Sequence, residues 1–184
     1  HLVHNTMYPQ VDSTIYVFAP IGPEVTDFLN KIEQYNTRMD SPTAWKVKTY
    51  LGDDYLEKMI SEKPGNVMIV AGKNSKKIDY ILAAVKAGLN VYADKPLVIN
   101  AEGFDKLKQA FKIAKENKVL IYDIMTERFE STSAMQKLFS TLPEVFGELK
   151  DGTPTEPAIS KESVHHFFKF VSGSALVRPA WFFD

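Results

Sequence analysis

The sequence predicts an α/β fold: a doubly wound parallel sheet, followed by the start of an α+β domain. Segments typical of strands and of helices alternate from residue 13 to residue 139. The stretch NVMIVAG at 66–72 is short and apolar, as buried strands are, and it leads into an amphipathic helix and another strand. A strand–helix–strand unit of this kind forms a right-handed crossover between parallel strands. After residue 142 the alternation gives way to a segment rich in proline and glycine.

The first predicted strand is STIYVFAP at 13–20, which is rich in β-branched and aromatic residues and ends at proline. A helix follows, because Pro23 suits a first helical position and apolar residues then recur at helical spacing. These apolar residues are Val25, Phe28, Leu29, Ile32 and Tyr35. Residues 36–43 form a polar loop, and WKVKTY at 45–50 alternates as a strand does.

The next predicted helix, DYLEKMISEK, is capped by Asp53 or Asp54 and ends at the Pro-Gly pair 64–65. The strand at 66–72 leads into a helix that has four apolar residues on one face. They are Ile78, Ile81, Leu82 and Val85. Gly88 suits the position just after the end of this helix, where a left-handed conformation is common.

The strand LNVYADKP at 89–96 comes next, and Asn100 is a suitable N-cap for the helix that follows it. The apolar residues of that helix are Phe104, Leu107, Phe111 and Ala114. VLIYDI at 119–124 predicts a fifth strand, and a further helix is predicted from about Glu127 to Phe139.

We predict two domains, at residues 1–126 and 127–184. In the second, SVHHFFKFV resembles a strand and ALVRPAWFFD an extended aromatic segment. The first residues, HLVHNTMY, look like the end of a helix stopped by Pro9. We therefore expect the given chain to begin inside a fold.

The composition excludes several functional classes. The net charge is −1 and no basic stripe occurs, so nucleic acid is not an expected partner. No run is long and apolar enough to cross a membrane, and no signal peptide is visible. The absence of cysteine removes disulfides, thiolate zinc sites and cysteine nucleophiles, and it fits a reducing compartment. We expect a cytoplasmic protein without a metal site.

The sequence Asp94-Lys95-Pro96 is the sharpest chemical signal, because it ends a strand where open α/β sheets bind ligands. Proline has no N–H and stops the ladder, and an X-Pro bond in such a turn can be cis. Lys95 could donate to a ribose hydroxyl or a substrate oxygen, or transfer a proton if partly desolvated. Alternatively, Lys95 is simply solvated and pairs with Asp94 at the rim.

The stretch from Met68 to Phe129 resembles the Gfo/Idh/MocA family of nicotinamide-dependent oxidoreductases, which includes glucose–fructose oxidoreductase and inositol dehydrogenase. The family pattern is a buried strand, a Thr-Pro-Asn-x-x-His turn, a helix ending in Ala-Gly, a strand, Glu-Lys-Pro and another helix. Ala87-Gly88 and Asp94-Lys95-Pro96 stand at the corresponding places, and Asn74 matches the turn asparagine. The resemblance covers roughly residues 1–140. It implies a Rossmann-like domain that binds NAD or NADP.

The resemblance also implies roles for individual residues. The motif lysine of the family lies beside the nicotinamide ribose and the substrate, which makes Lys95 the catalytic candidate. Asn74, Asp94, Lys95 and Pro96 are the candidate cofactor-binding residues. Asn74 could equally be a helix N-cap or a turn former. Asp123 and Arg128 are candidates for contacting the substrate.

These substrate candidates are Asp123, at the end of the fifth strand, and Arg128, which with Phe129 resembles the Arg-Phe of the family. Asp123 could instead cap the next helix, and Arg128 could be a surface charge. His165 and His166 do not match the motif of the family histidine in context. We interpret them as a structural pair.

The chain departs from the family pattern in several places. Asp94 replaces the usual Glu, and Lys77 replaces the turn histidine, which puts the shape of this edge in doubt. The Gly-rich loop that lays pyrophosphate on a helix N-terminus is not found. The stretch that ends at Ala19-Pro20 corresponds to the second strand of the family fold, and no acid or arginine stands at its end to distinguish NAD from NADP. We therefore expect a fragment that lacks the first strand, the Gly-rich loop and most of the second domain, and that does not turn over substrate alone.

The leading functional hypothesis is hydride transfer between NAD(P) and a hydroxyl carbon of a sugar, cyclitol or related polyol, by a homo-oligomer joined through its second domain. The alternative is a family member that binds dinucleotide without catalysis and acts in binding or assembly. A signalling receiver domain also has a Lys-Pro after a strand. However, it needs an acidic cluster at the strand ends, and 66–72 ends without one.

Overall fold

The computed structural model describes residues 9–125, 129–158, 160, 167–171 and 174–180. The elements follow the predicted alternation of strands and helices along the first part of the chain. They are β1 (Thr14–Ala19), α1 (Pro23–Thr37), β2 (Lys46–Leu51), α2 (Tyr55–Glu62), β3 (Val67–Val70), α3 (Asn74–Lys86), β4 (Asn90–Ala93), α4 (Ala101–Glu116), β5 (Ile121–Asp123), α5 (Ser131–Ser140), α6 (Pro143–Phe146), β6 (Phe168–Val171) and β7 (Ser174–Val177).

The five strands of the first part form two parallel sheets. One sheet pairs β1 with β2, and the other has the order β3-β4-β5. The α/β class with parallel strands is confirmed.

The core lies between the β3-β4-β5 sheet and helices α3 and α4. Its buried members come from these elements and the turn after α3, and six of them have no exposed surface. They are Val70, Ile78, Ile81, Ala84, Val85, Leu89, Val91, Ala93, Ala110 and Ala114. On the opposite face of the sheet, Val67, Ile69, Tyr92 and Tyr122 are between 41% and 50% exposed. Within the described residues, only one face of this sheet is therefore packed by helices.

The end of α3 confirms the predicted role of Gly88. Its φ is 79°, a left-handed conformation that suits glycine. Gly88 N donates to Val85 O at 3.1 Å and Leu89 N donates to Ala84 O at 3.0 Å, which is the pattern of a Schellman motif. This turn reverses the chain so that β4 begins two residues later, at Asn90.

Asn100 caps α4, as its position before the apolar pattern predicts. Its Oδ1 accepts a hydrogen bond from Gly103 N at 2.7 Å, which satisfies one of the free N–H groups of the first turn. This cap fixes the start of α4 at Ala101, five residues after Pro96.

We expect Asn100→Ala to lower the free energy of unfolding by about 1 kcal/mol, because it removes the cap oxygen. Urea unfolding of the full-length protein that carries this sequence measures the change. Asn100→Gly is the matched control: it removes the same side chain, yet glycine at an N-cap costs only a few tenths of a kcal/mol. Equal losses for the two variants would contradict the capping role.

The second part of the chain has short helices and an antiparallel pair of strands. β6 pairs with β7, from Phe168 opposite Val177 to Val171 opposite Ser174, as expected for the start of an α+β unit. The short helix α6 was not predicted. The division at residues 126 and 127 stays a prediction. None of the described helices combines the length and the hydropathy needed to cross a membrane.

The helix predicted from about Glu127 begins later, at Ser131, and Glu127 itself lies outside the described residues. Glu130 is the N-cap: its carboxylate accepts from Thr132 N at 3.0 Å and from Ser133 N at 2.8 Å. The Thr132 hydroxyl also donates to this carboxylate, and this bond together with the two backbone N–H bonds lowers the pKa of Glu130 to about 2. An acid at this position stabilises the helix N-terminus in its charged form.

Candidate functional site

The strands β3, β4 and β5 end together at one edge of the sheet. In the parallel register Val70 lies opposite Ala93, and Ala93 lies opposite Asp123. The connections that leave this edge run to α3 and α4 and carry most of the residues predicted to bind the cofactor. The carboxyl edge of an open parallel sheet is the usual ligand-binding edge of this architecture.

Lys95 follows the last ladder contact of β4. Asp94 N donates to Val70 O at 2.9 Å, and beyond this bond the chain leaves the sheet. The Lys95–Pro96 peptide bond is cis. Lys95 N donates to Asp94 Oδ1 at 2.9 Å, while the Lys95 side chain is exposed. The ion pairs found in the described residues do not include one between Lys95 and Asp94, so the alternative is right about the exposure of Lys95 and wrong about its pairing with Asp94.

Asn74 is the first residue of α3, and it is not the N-cap. The N-cap is Lys73, which makes no side-chain capping bond. The side-chain Oδ1 of Asn74 accepts a hydrogen bond from Lys77 Nζ at 2.9 Å. Its amide oxygen is thereby engaged inside the protein, and its amide NH₂ group points the other way.

Lys77 is the residue at this edge that sequence reasoning missed. Its side chain is only 1% exposed, although it carries an ammonium group. Its Nζ also donates to the backbone oxygen of Asp94 at 2.8 Å and lies 3.4 Å from that of Lys95. A helical side chain leans toward the N-terminus of its helix, which brings this ammonium group to the carboxyl edge of the sheet.

Burial lowers the pKa of Lys77, because desolvation disfavours the charged form. The charge of Asp94 acts in the opposite direction and raises it, whereas the nearby charge of Lys95 lowers it further. The ammonium group is therefore held by oxygen acceptors in a place where its charge is costly.

The lowered pKa of Lys77 predicts a rise of stability with pH. Between this lowered pKa and the ordinary value of 10.5, the unfolded chain binds more protons than the folded chain. We expect the free energy of unfolding to increase with pH in that window, by more in the wild type than in Lys77→Met. Urea unfolding at a series of alkaline pH values measures how the free energy of unfolding depends on pH. Identical pH slopes for the two proteins would contradict it.

A polar cavity of about 160 Å³ lies between the N-terminal ends of α3 and α4. Asn74 lines it together with Asn100, Ile99 and Gly103, and it also contains the ion pair of Asp79 with Lys106, at 2.8 Å. Lys95 is not among its lining residues. The cavity therefore contains one of the predicted cofactor-binding residues and leaves the catalytic candidate outside.

The remaining candidates are placed as follows. Asp123 is half-buried at the end of β5, and its Oδ1 accepts from Met125 N at 3.3 Å. It does not cap α5, so that alternative is wrong. Arg128, like His165 and His166, lies outside the described residues.

The donors at this edge suit a dinucleotide. An exposed ammonium at Lys95 and the amide NH₂ of Asn74 can donate to ribose hydroxyls and phosphate oxygens. Both groups belong to connections that leave the same sheet edge, so one extended ligand could reach both. Donors of this kind can bind the ribose and phosphate groups of a dinucleotide, while the described residues contain no Gly-rich loop for its pyrophosphate.

Two family models match the chain. Residues 24–136 match the "Oxidoreductase family, NAD-binding Rossmann fold" model, and residues 135–184 match the "Putative oxidoreductase C terminal domain" model. The first match covers more than half of the chain and includes every described residue of the edge. No curated protein was similar enough to count as a match.

Several solved structures are similar to this chain. One is "a putative oxidoreductase from Parabacteroides merdae", with 52% identity and a TM-score of 0.88 over 98% of this chain. The chain covers 41% of the length of that protein.

Two more distant structures also match. The aldose-aldose oxidoreductase from Caulobacter crescentus, complexed with glycerol, has 16% identity and a TM-score of 0.44, with 64% of this chain and 31% of that one covered. GenD2 from gentamicin A biosynthesis, in complex with NAD, has 21% identity and a TM-score of 0.44, with 66% and 30% covered. At these scores neither structure carries an argument about this chain.

Proposed function

Because this chain belongs to the Gfo/Idh/MocA oxidoreductase family, with its NAD-binding Rossmann fold, we propose that the protein transfers a hydride between NAD or NADP and a hydroxyl carbon of a sugar, a cyclitol or a related polyol. The substrate class follows from the members that the family includes, glucose–fructose oxidoreductase and inositol dehydrogenase. The chain spans two fifths of a solved relative, so the activity belongs to the full-length protein that carries this sequence.

The single observation that carries this proposal is the position of Lys95. It directly follows the strand end at the ligand edge of the sheet, and its ammonium group is exposed and free of the Asp94 carboxylate. An ammonium group there can donate to a substrate hydroxyl and take part in its proton transfer. The backbone N–H and the backbone oxygen of Lys95 both have hydrogen-bond partners, which fixes the position of the backbone that carries this side chain.

The bound cofactor supplies the hydride chemistry, and the residues of this chain position the reactants. Lys95 orients the substrate hydroxyl and exchanges its proton at Nζ. The NH₂ group of Asn74 holds the cofactor, and the turn formed by Asp94 and Pro96 shapes the pocket wall beside it. On the substrate side we propose Asp123 and Arg128, which follow the neighbouring strand.

A second candidate function is dinucleotide binding without catalysis. The specific observation that favours it is Lys77, which replaces the histidine of the family turn and changes the interior of this edge. In this case the protein binds NAD(P)H and serves in binding or assembly. A cytoplasmic location and homo-oligomer formation through the second domain stay predictions.

The test is a titration of the full-length protein that carries this sequence with NADH and with NADPH, followed by turnover assays on a panel of aldoses, cyclitols and polyols. We expect saturable quenching of protein fluorescence by NADH or NADPH, and reduction of the corresponding NAD⁺ or NADP⁺ with at least one substrate of the panel. Binding without turnover across the panel would favour the second candidate. No binding of either cofactor would contradict both.

A further inference from the structure

We propose that the buried ammonium group of Lys77 is a positioning group, which holds Asn74 and the backbone of Lys95 in one fixed geometry at the carboxyl edge of the sheet. The inference rests on the proposed function in one respect: it makes Lys77 a determinant of the cofactor site. It acts through other residues and has no contact of its own with substrate.

The number of N–H donors on the Lys77 ammonium group matches the number of acceptor oxygens around it. A lysine ammonium has three N–H groups, and Lys77 has three oxygens within reach. One oxygen belongs to the side chain of Asn74 in α3, and the other two are backbone oxygens of Asp94 and Lys95, just after β4. A single buried group therefore joins the two segments that carry the cofactor-binding candidates.

Burial of the Lys77 ammonium group at this position is unfavourable in free energy. An ammonium group loses hydration when it is buried, and its charge near the N-terminus of α3 opposes the helix dipole. A methionine would fill the same space without either cost. The directed hydrogen bonds of the ammonium group, and not apolar packing, therefore explain why a lysine occupies this buried position.

The sheet stops supporting the backbone of the β4 segment just before Lys95. The ladder between β3 and β4 ends with the hydrogen bond from Asp94 N to Val70 O. Beyond that bond, the described contact that ties the Lys95 backbone to α3 is the one from Lys77. The same ammonium group holds the Asn74 side chain with its oxygen inward, which sets the direction of its NH₂ donors. The proposal therefore predicts that the two segments loosen together when Lys77 is changed.

The test compares Lys77→Met with Lys76→Met in the full-length protein that carries this sequence. The two lysines are adjacent on α3, but Lys76 is exposed. Hydrogen–deuterium exchange is measured on peptides that cover 94–99 and, as an internal reference, on peptides that cover β2. We expect exchange in 94–99 to be about 10-fold faster or more in Lys77→Met, because hydrogen bonds from a charged group are lost.

The expected control results are unchanged exchange in 94–99 for Lys76→Met and unchanged exchange in β2 for both variants. Unchanged exchange in 94–99 for a folded Lys77→Met would overturn the proposal. Lys77→Gln, compared with Lys76→Gln, repeats the test with a polar side chain in case the methionine variant does not fold. Faster exchange only in Lys77→Gln supports the proposal, and equal rates contradict it.

A second readout addresses the cofactor site. NADH titration should give a Kd about 10-fold weaker or more for Lys77→Met and an unchanged Kd for Lys76→Met, as expected when a supporting group is removed. An unchanged Kd for Lys77→Met would overturn its role in the cofactor site. If the wild type binds neither NADH nor NADPH, the proposed function fails, and the exchange measurement alone decides whether Lys77 positions this edge.

Discussion

Replacement of Lys95 by methionine is expected to lower kcat by about 100- to 10,000-fold in the full-length protein that carries this sequence. This range is typical for the loss of a group that transfers or orients a proton in the transition state. Methionine keeps most of the length of the side chain and removes only the ammonium group. The measurement is steady-state kinetics with the substrate that the turnover panel identifies.

The separate effects of Lys95→Met on kcat and on KM distinguish a catalytic role of Lys95 from a role in binding alone. An effect confined to KM would show that it only binds substrate or cofactor, and the catalytic role would then be wrong. Lys112→Met is the matched control, because Lys112 is an exposed lysine on α4 and has no part in the proposed site. Equal kinetics for wild type and Lys95→Met would contradict the proposed function of this residue outright.

Replacement of Ile81 by alanine is expected to lower the free energy of unfolding by about 2–5 kcal/mol. Ile81 has no exposed surface and lies at the centre of the core between α3 and the β3-β4-β5 sheet. The change removes buried methyl and methylene groups and leaves a cavity that the close-packed surroundings fill only partly. Urea unfolding measures the loss.

Two further variants make the stability prediction sharper. Ile81→Val is expected to cost only about 0.5–1.5 kcal/mol, because it removes a single methylene group. Ile21→Ala, at a side chain that is 82% exposed, should change stability by less than about 0.5 kcal/mol. A loss for Ile81→Ala no larger than that for Ile21→Ala would show that this core does not carry the stability of the domain.

The sequence is sufficient to predict most of the fold because local signals agree with the sheet. The apolar run at 66–72 became β3, and the apolar spacing of Ile78, Ile81 and Val85 became the buried face of α3. Gly88 marked the end of that helix, since a left-handed residue there is best filled by glycine. These are short-range preferences, and no tertiary contact opposes them.

The start of α5 is an error with a physical cause. Glu127 suits a first helical turn by residue type, but Glu130 supplies a carboxylate that accepts from Thr132 N and Ser133 N and begins the helix there. Both glutamates fit the sequence pattern of a helix start. The choice between them depends on hydrogen-bond geometry that the sequence alone does not contain.

Lys77 is the informative miss at the site. Its position four residues before Ile81 places it on the buried face of α3, and this spacing could have identified it. In the sequence, Lys77 stands out only as the replacement for the turn histidine, and its burial is not predicted, because burial of an ammonium group is unfavourable unless oxygens surround it. Two of its three acceptors are backbone atoms seventeen and eighteen residues away, so sequence alone cannot predict them.

The central claim is that Lys95 acts beside the nicotinamide at the carboxyl edge of this sheet. The most direct measurement is a crystal structure of the full-length protein that carries this sequence with NAD or NADP bound. The account predicts that Lys95 Nζ lies within about 3.2 Å of a nicotinamide ribose hydroxyl or of a substrate oxygen. A bound dinucleotide with Lys95 Nζ in solvent and Asn74 out of contact would contradict the claim.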